Sequence, residues 1–155
     1  MERQELFDTL LERIKAITAI ASNKEFKLEV VCNLLSKNIA GYDWVGFYRV
    51  DKSRKRELVL GPFVGEPTEH VRIPFGKGIC GRAADSEETF LVQDVTKEDN
   101  YLACSPKVRS EIVVPIFRNG ELVGELDIDS HTPSAFSKKD SEFLSKVGEL
   151  VSHLI

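Results

Sequence analysis

Cysteine is scarce in this chain, basic charge is nowhere concentrated, and no long apolar run occurs. Each shortage removes a class of protein. Cys32, Cys80 and Cys104 are three cysteines, an odd number, and in a reducing compartment they are a poor disulfide framework. Catalysis, redox sensing or plain burial remain for them. The formal net charge is −4 and the Lys and Arg residues are scattered, so the footprint of a nucleic-acid-binding surface is missing. The densest basic stretch, Lys52-Ser53-Arg54-Lys55-Arg56, lies between two apolar runs and reads as a solvated hairpin loop. The opening Met1-Glu2-Arg3-Gln4-Glu5 lacks the charged-then-apolar pattern of a secretory signal, and no apolar stretch is long enough to span a bilayer. The expectation is a cytoplasmic protein with neither nucleic acid nor membrane among its partners. His70, His131 and His153 show no zinc-like spacing with the cysteines, so no metal and no bound cofactor is expected.

What is present fits a single domain over residues 1–155, with 42% apolar and 30% charged residues. Leu6, Phe7, Leu10, Leu11, Ile14 and Ile17 recur at helical spacing, and Leu28, Val31, Leu35 and Ile39 repeat the pattern between Ser22-Asn23 and Gly41. From Trp44 to Val50 and Glu57 to Leu60 the residues become β-branched and aromatic, which predicts two strands across the basic loop. Short extended pieces follow at 71–74 and 90–92, with a short helix from the glycine-rich 76–81 segment through Ala84. Asn119-Gly120 between alternating apolar runs marks an antiparallel hairpin, and Ser137 to Asp140 caps a last amphipathic helix carrying Phe143, Leu144, Val147, Leu150, Val151 and Leu154. The sum is an α/β fold of the α+β kind, a central antiparallel sheet with its terminal helices packed on one face. The other face is left for a site.

The hairpin register bears on that site. A two-residue loop would set Ile112, Val114 and Ile116 opposite Asp127, Glu125 and Val123, which puts apolar residues against acids. A three-residue loop over 118–120 sets them opposite Leu126, Gly124 and Leu122 instead, and is the expected form. It places Glu111 opposite Asp127, with Glu125 and Asp129 on the same face. Clustered carboxylates raise each other's pKa, so one of them can hold a proton near neutral pH, or together they can bind a cationic group.

Gly76-Lys77-Gly78-Ile79-Cys80-Gly81 spells a dinucleotide-type glycine pattern, but the antiparallel connections around it do not suit that fold. Cys80 at the start of the predicted helix is placed for a lowered thiol pKa. Cys104, in the irregular Tyr101-Leu102-Ala103-Cys104-Ser105-Pro106, is the cysteine expected to face solvent. Cys32, one position from the apolar stripe of its helix, reads as a small buried hydrophobe.

Seven motifs taken in order, namely 44–48 (WVGFY), 58–63 (LVLGPF), 71–74 (VRIP), 76–81 (GKGICG), 102–104 (LAC), 110–115 (SEIVVP) and 126–130 (LDIDS), resemble those of the free methionine-(R)-sulfoxide reductases. The resemblance implies a GAF fold that reduces the free amino acid. It implies that Cys104 attacks the sulfoxide sulfur, that Glu111, Asp127 and Asp129 line the pocket, and that Trp44 and Tyr48 form its aromatic wall. It further implies a sulfenic acid on Cys104, a Cys80–Cys104 disulfide, an external dithiol such as thioredoxin, and a homodimer. One departure stands out: better-known members carry a further cysteine ten residues before the one matching Cys80, and here that position is His70. A non-catalytic GAF module that binds a small ligand, or a thiol redox sensor, is the competing reading.

Overall fold

The computed structural model describes residues 2–54, 56–99, 101 and 105–155. Its elements run α1 (Arg3–Thr18), α2 (Lys24–Asn38), β1 (Trp44–Val50), β2 (Glu57–Val64), β3 (Arg72–Pro74), α3 (Gly78–Ser86), β4 (Phe90–Val92), β5 (Ser110–Arg118), β6 (Glu121–Ser130) and α4 (Lys138–Val151). Among the described residues six strands form one sheet in the order β3-β2-β1-β6-β5-β4, antiparallel at every junction, with no parallel crossover for a dinucleotide fold to use.

Period-two alternation gives the sheet two unlike faces. Val45, Phe47, Ile112, Val114, Ile116, Leu126 and Ile128 point to one side and pack with Phe7, Leu10, Ile14, Leu28, Val31, Leu35, Phe143, Leu144 and Val147 of α1, α2 and α4. Each such side chain contributes about 1.5–3 kcal/mol relative to exposure. The start of α2 is set by Asn23, whose side chain accepts from the Phe26 N–H. Asp140 accepts the Ser137 N–H at the start of α4, and it also binds the Tyr42 hydroxyl at 2.8 Å and the Arg3 guanidinium at 2.6 Å. The residue read from sequence as half of a cap therefore joins α4 to α1 and to the turn before β1.

On the opposite face Trp44, Tyr48, Leu58, Ile73, Ile79, Cys80, Ala83, Ala84, Val92 and Val113 form a second apolar cluster beneath α3. This face, expected to stand free, is covered. The reason lies in the glycine segment: at Gly81 a β-carbon would come within 2.6 Å of the Pro74 carbonyl oxygen, so its absence lets α3 settle directly on β3 and the sheet.

The β5–β6 hairpin corrects the expected loop. Arg118 pairs with Glu121, so the loop has two residues, with Asn119 at φ 55° and Gly120 at φ 78°, as a type I′ turn requires. Val123 then bulges between the Phe117–Leu122 and Ile116–Gly124 pairs. A bulge adds one residue to one strand and so flips the parity back. Ile112, Val114 and Ile116 meet Ile128, Leu126 and Gly124, while Glu111 meets Asp129 and Val113 meets Asp127. The faces are as expected, but the pairs are displaced by two residues along β6.

Candidate active site

β6 is the central contributor, because its alternation puts Glu125, Asp127 and Asp129 on the α3 face in a row. Across one ladder they meet Tyr48, Gly46 and Trp44 of β1; across the other, Asp129 meets Glu111 of β5. Solvated acids on an open strand face were the alternative. Instead Glu125 and Asp127 are fully buried, and Glu111 is 3% exposed.

α3 delivers Cys80 to the same point. Its Sγ lies 3.3 Å from Asp127 Oδ2 and 3.9 Å from Glu111 Oε2. A cavity of about 10 Å³ opens beside these groups, lined by Tyr48, His70, Ile73, Lys77, Cys80, Glu111 and Asp127 among others. That is room for about one water.

The electrostatics are those of uncompensated acids. Burial, then the neighbouring Asp127 and Asp129, push the Glu111 carboxyl well above the usual carboxylate range. Burial and Asp127 do the same to Glu125. Burial also raises Asp127, although hydrogen bonds to its charged form from Glu111, Cys80 and Asp129 oppose the rise. Glu111 and Asp127 thus behave as a buried pair sharing protons, and one member can donate. Cys80 corrects its expectation: the helix start does not lower this thiol, because burial and four facing carboxyls push it well above the ordinary thiol value.

Of the residues singled out from sequence, Cys80, Glu111, Asp127, Asp129 and Tyr48 come together here. Tyr48 is buried and its hydroxyl donates to the His70 carbonyl. Trp44 packs on the same face, stacked on Phe63, and its Nε1 donates to the Glu66 carbonyl; it is not part of the cavity lining. Cys104 lies outside the described residues, and so does the Cys80–Cys104 pair. Cys32 is fully buried on the helical side, its thiol raised by that burial. Two polar side chains of the lining were not marked as functional contacts: Lys77, inside the glycine segment, and His70, noted only as a missing cysteine. Position in a motif was the only available signal, since neither spacing nor periodicity points at them. Expecting no metal rested on His–Cys spacing, whereas the donors that converge are one thiol and two carboxylates.

A much larger groove, about 910 Å³, runs past Arg49, Asp51, Arg118, Glu121 and Ile155. Its arginines are already engaged, Arg118 with the Ser152 and Ile155 carbonyls and Arg49 with Glu25 and the Leu154 carbonyl. Its lining holds no cysteine, and size does not make it the site.

A single curled antiparallel sheet with helices behind it and a thiol–carboxylate cluster in front defines a GAF domain, and the GAF domain family model matches residues 27–155. Within that family the chain belongs to the free methionine-R-sulfoxide reductases. It is 35% identical to the free methionine-R-sulfoxide reductase of Saccharomyces cerevisiae, over 98% of this chain and 87% of the other. It is 32% identical to the Escherichia coli enzyme of the same name, over 95% and 87%. The solved free methionine-R-sulfoxide reductase from Neisseria meningitidis, in complex with its substrate, superposes with a TM-score of 0.92 at 35% identity, covering 99% of this chain and 90% of that one.

Proposed function

We propose that this protein reduces free methionine-(R)-sulfoxide to methionine at the expense of a thiol reductant. The observation that carries the reading is the meeting of Glu111 and Asp127 at the Cys80 sulfur on a buried face. Sulfoxide reduction needs a thiol for the sulfur, a proton source for the departing oxygen, and negative charge for the substrate ammonium group. The cluster supplies the last two.

In this reading the Cys104 thiolate attacks the sulfoxide sulfur while a carboxylic acid of the Glu111–Asp127 pair protonates the oxygen. Methionine leaves and the oxygen stays on Cys104 as a sulfenic acid. The Cys80 thiol condenses with it, releasing water and forming a Cys80–Cys104 disulfide, which an external dithiol such as thioredoxin returns to two thiols. The carboxylates would help here too, because the raised Cys80 thiol needs a base before it can react. Asp129 and the remaining anionic charge would hold the ammonium group, with Tyr48 and Trp44 as aromatic wall. The cavity admits only a water-sized occupant, so an amino acid enters when wall residues such as His70 and Lys77 move aside. A homodimer and a cytoplasmic location complete the proposal; among the described residues, no helix is long and apolar enough to cross a membrane.

The test is reduction of free methionine-(R)-sulfoxide by the parent, Cys104→Ser, Cys80→Ser and Asp127→Asn, with dithiothreitol or thioredoxin. Cys104→Ser is expected to be inactive with both reductants, Cys80→Ser to fail with thioredoxin alone, and Asp127→Asn to lose about 10²–10⁴-fold with both. A folded parent with no activity would overturn the reading in favour of a ligand-binding GAF module.

A further inference from the structure

We propose that Cys80, Glu111 and Asp127 form a binding site for a single thiophilic divalent cation, zinc(II) above all, and that the bound ion holds the active site closed to substrate. One sulfur and two carboxylate oxygens from these residues lie within 4.8 Å of one another and line the same small cavity. A tetrahedral zinc ion, with bonds of about 2.3 Å to sulfur and 2.0–2.2 Å to oxygen, separates its sulfur and oxygen ligands by about 3.6 Å. The two sulfur–oxygen distances here, 3.3 and 3.9 Å, bracket that value. The donors are therefore already at ligand spacing before any ion arrives.

The volume agrees. A cavity of about 10 Å³ holds a water or an ion, not an amino acid, so the closed arrangement fits a cation better than it fits the sulfoxide. The site also has unused polar capacity. Asp127 is fully buried and its Oδ1 has no hydrogen-bond partner. Burying unpaired carboxyl oxygens is costly, and a divalent cation offsets that cost by its charge. Three protein ligands leave the fourth position to water, the open form of a zinc site. Lys77 and His70, which also line the cavity, are not among the three donors.

The inhibitory role rests on the reductase reading, because the ion would occupy the carboxylates that protonate the sulfoxide and the thiol that resolves Cys104. The binding itself does not, and is measured directly. Isothermal titration of the reduced full-length protein with zinc chloride should give one ion per chain. Cadmium should give an ultraviolet sulfur-to-metal charge-transfer band that reports thiolate ligation. Cys80→Ser should lose the band, and Asp127→Asn should weaken zinc by more than about 100-fold, beyond the 10–100-fold that outer partners cost. Cys32→Ser and Cys104→Ser should keep the band, and a circular-dichroism melt of each variant secures the fold. No stoichiometric zinc in the parent, or a band that survives Cys80→Ser, would overturn the site.

Inhibition is read in a single turnover of pre-reduced protein, since dithiothreitol itself binds zinc. Zinc should abolish that turnover, with recovery on adding a chelator. Zinc bound without slowing the turnover would overturn the inhibitory role. A chain with no turnover at all would fail the reductase reading while the calorimetric and absorbance results still decided the site.

Discussion

The Tyr48 hydroxyl donates a 2.9 Å hydrogen bond to the carbonyl of His70. It ties the centre of β1 to the segment before β3, and both residues line the cavity beside Cys80. One side chain thus sets the position of a wall by holding its backbone.

Tyr48→Phe keeps the ring and removes that bond. The expected cost is about 0.5–1.5 kcal/mol in urea unfolding, the usual net worth of a hydrogen bond. KM for the free sulfoxide should rise severalfold while kcat changes less, because the loosened wall binds substrate more poorly without touching the reacting atoms. A fall in kcat at unchanged KM would place Tyr48 in the chemistry instead.

Gly46 sits opposite Asp127 on the β1–β6 ladder. A β-carbon there would come within 2.4 Å of Trp44 Cη2 and 2.9 Å of the Phe63 β-carbon. Gly46→Ala should destabilise the chain by about 1–3 kcal/mol through overpacking. Trp44 is the sole tryptophan, so its emission reads the displacement directly and should shift to the red as the indole meets water. Parent-like emission and stability would show that the ring has room to turn.

Asp140 governs an acid limb of stability. Burial raises its carboxyl pKa, but bonds from Arg3, Ser137 and Tyr42 outweigh that and hold it below the ordinary 3.8. A carboxyl lowered on folding contributes stability that is full above its unfolded pKa and lost as pH falls through its folded value. Asp140→Asn should cost about 1–2 kcal/mol near pH 7. The gap between variant and parent should narrow steadily below about pH 4, where the parent carboxylate begins to take up its proton. Urea melts across that range check both; a gap constant with pH would remove the charge from the account.

Much of the scaffold was legible because periodicity is a local property. The stripe from Leu6 to Ile17 needs a single buried side to make sense, and α1 buries Phe7, Leu10 and Ile14 on it. The acids of β6 share one face for the same reason, since alternation along a strand survives any even change of register. Parity was therefore readable at Ile112, Val114 and Ile116, while the partner of Glu111 was not. The two-residue turn and the bulge at Val123 each shift pairing by one, and a bulge leaves no mark in composition.

The residue types of the site and the face that Glu111, Glu125, Asp127 and Asp129 share were determined by the chain itself, because side-chain chemistry and strand alternation need no knowledge of distant neighbours. The state of those groups was decided only by tertiary structure. α3 folds over the acids and brings Cys80 from the glycine segment to 3.3 Å from Asp127, which turns a face expected to be open into a dry one and reverses the expected shift of the thiol. Charge costs little on a wet strand and much beneath a helix, and burial is a property of contacts that are remote in sequence.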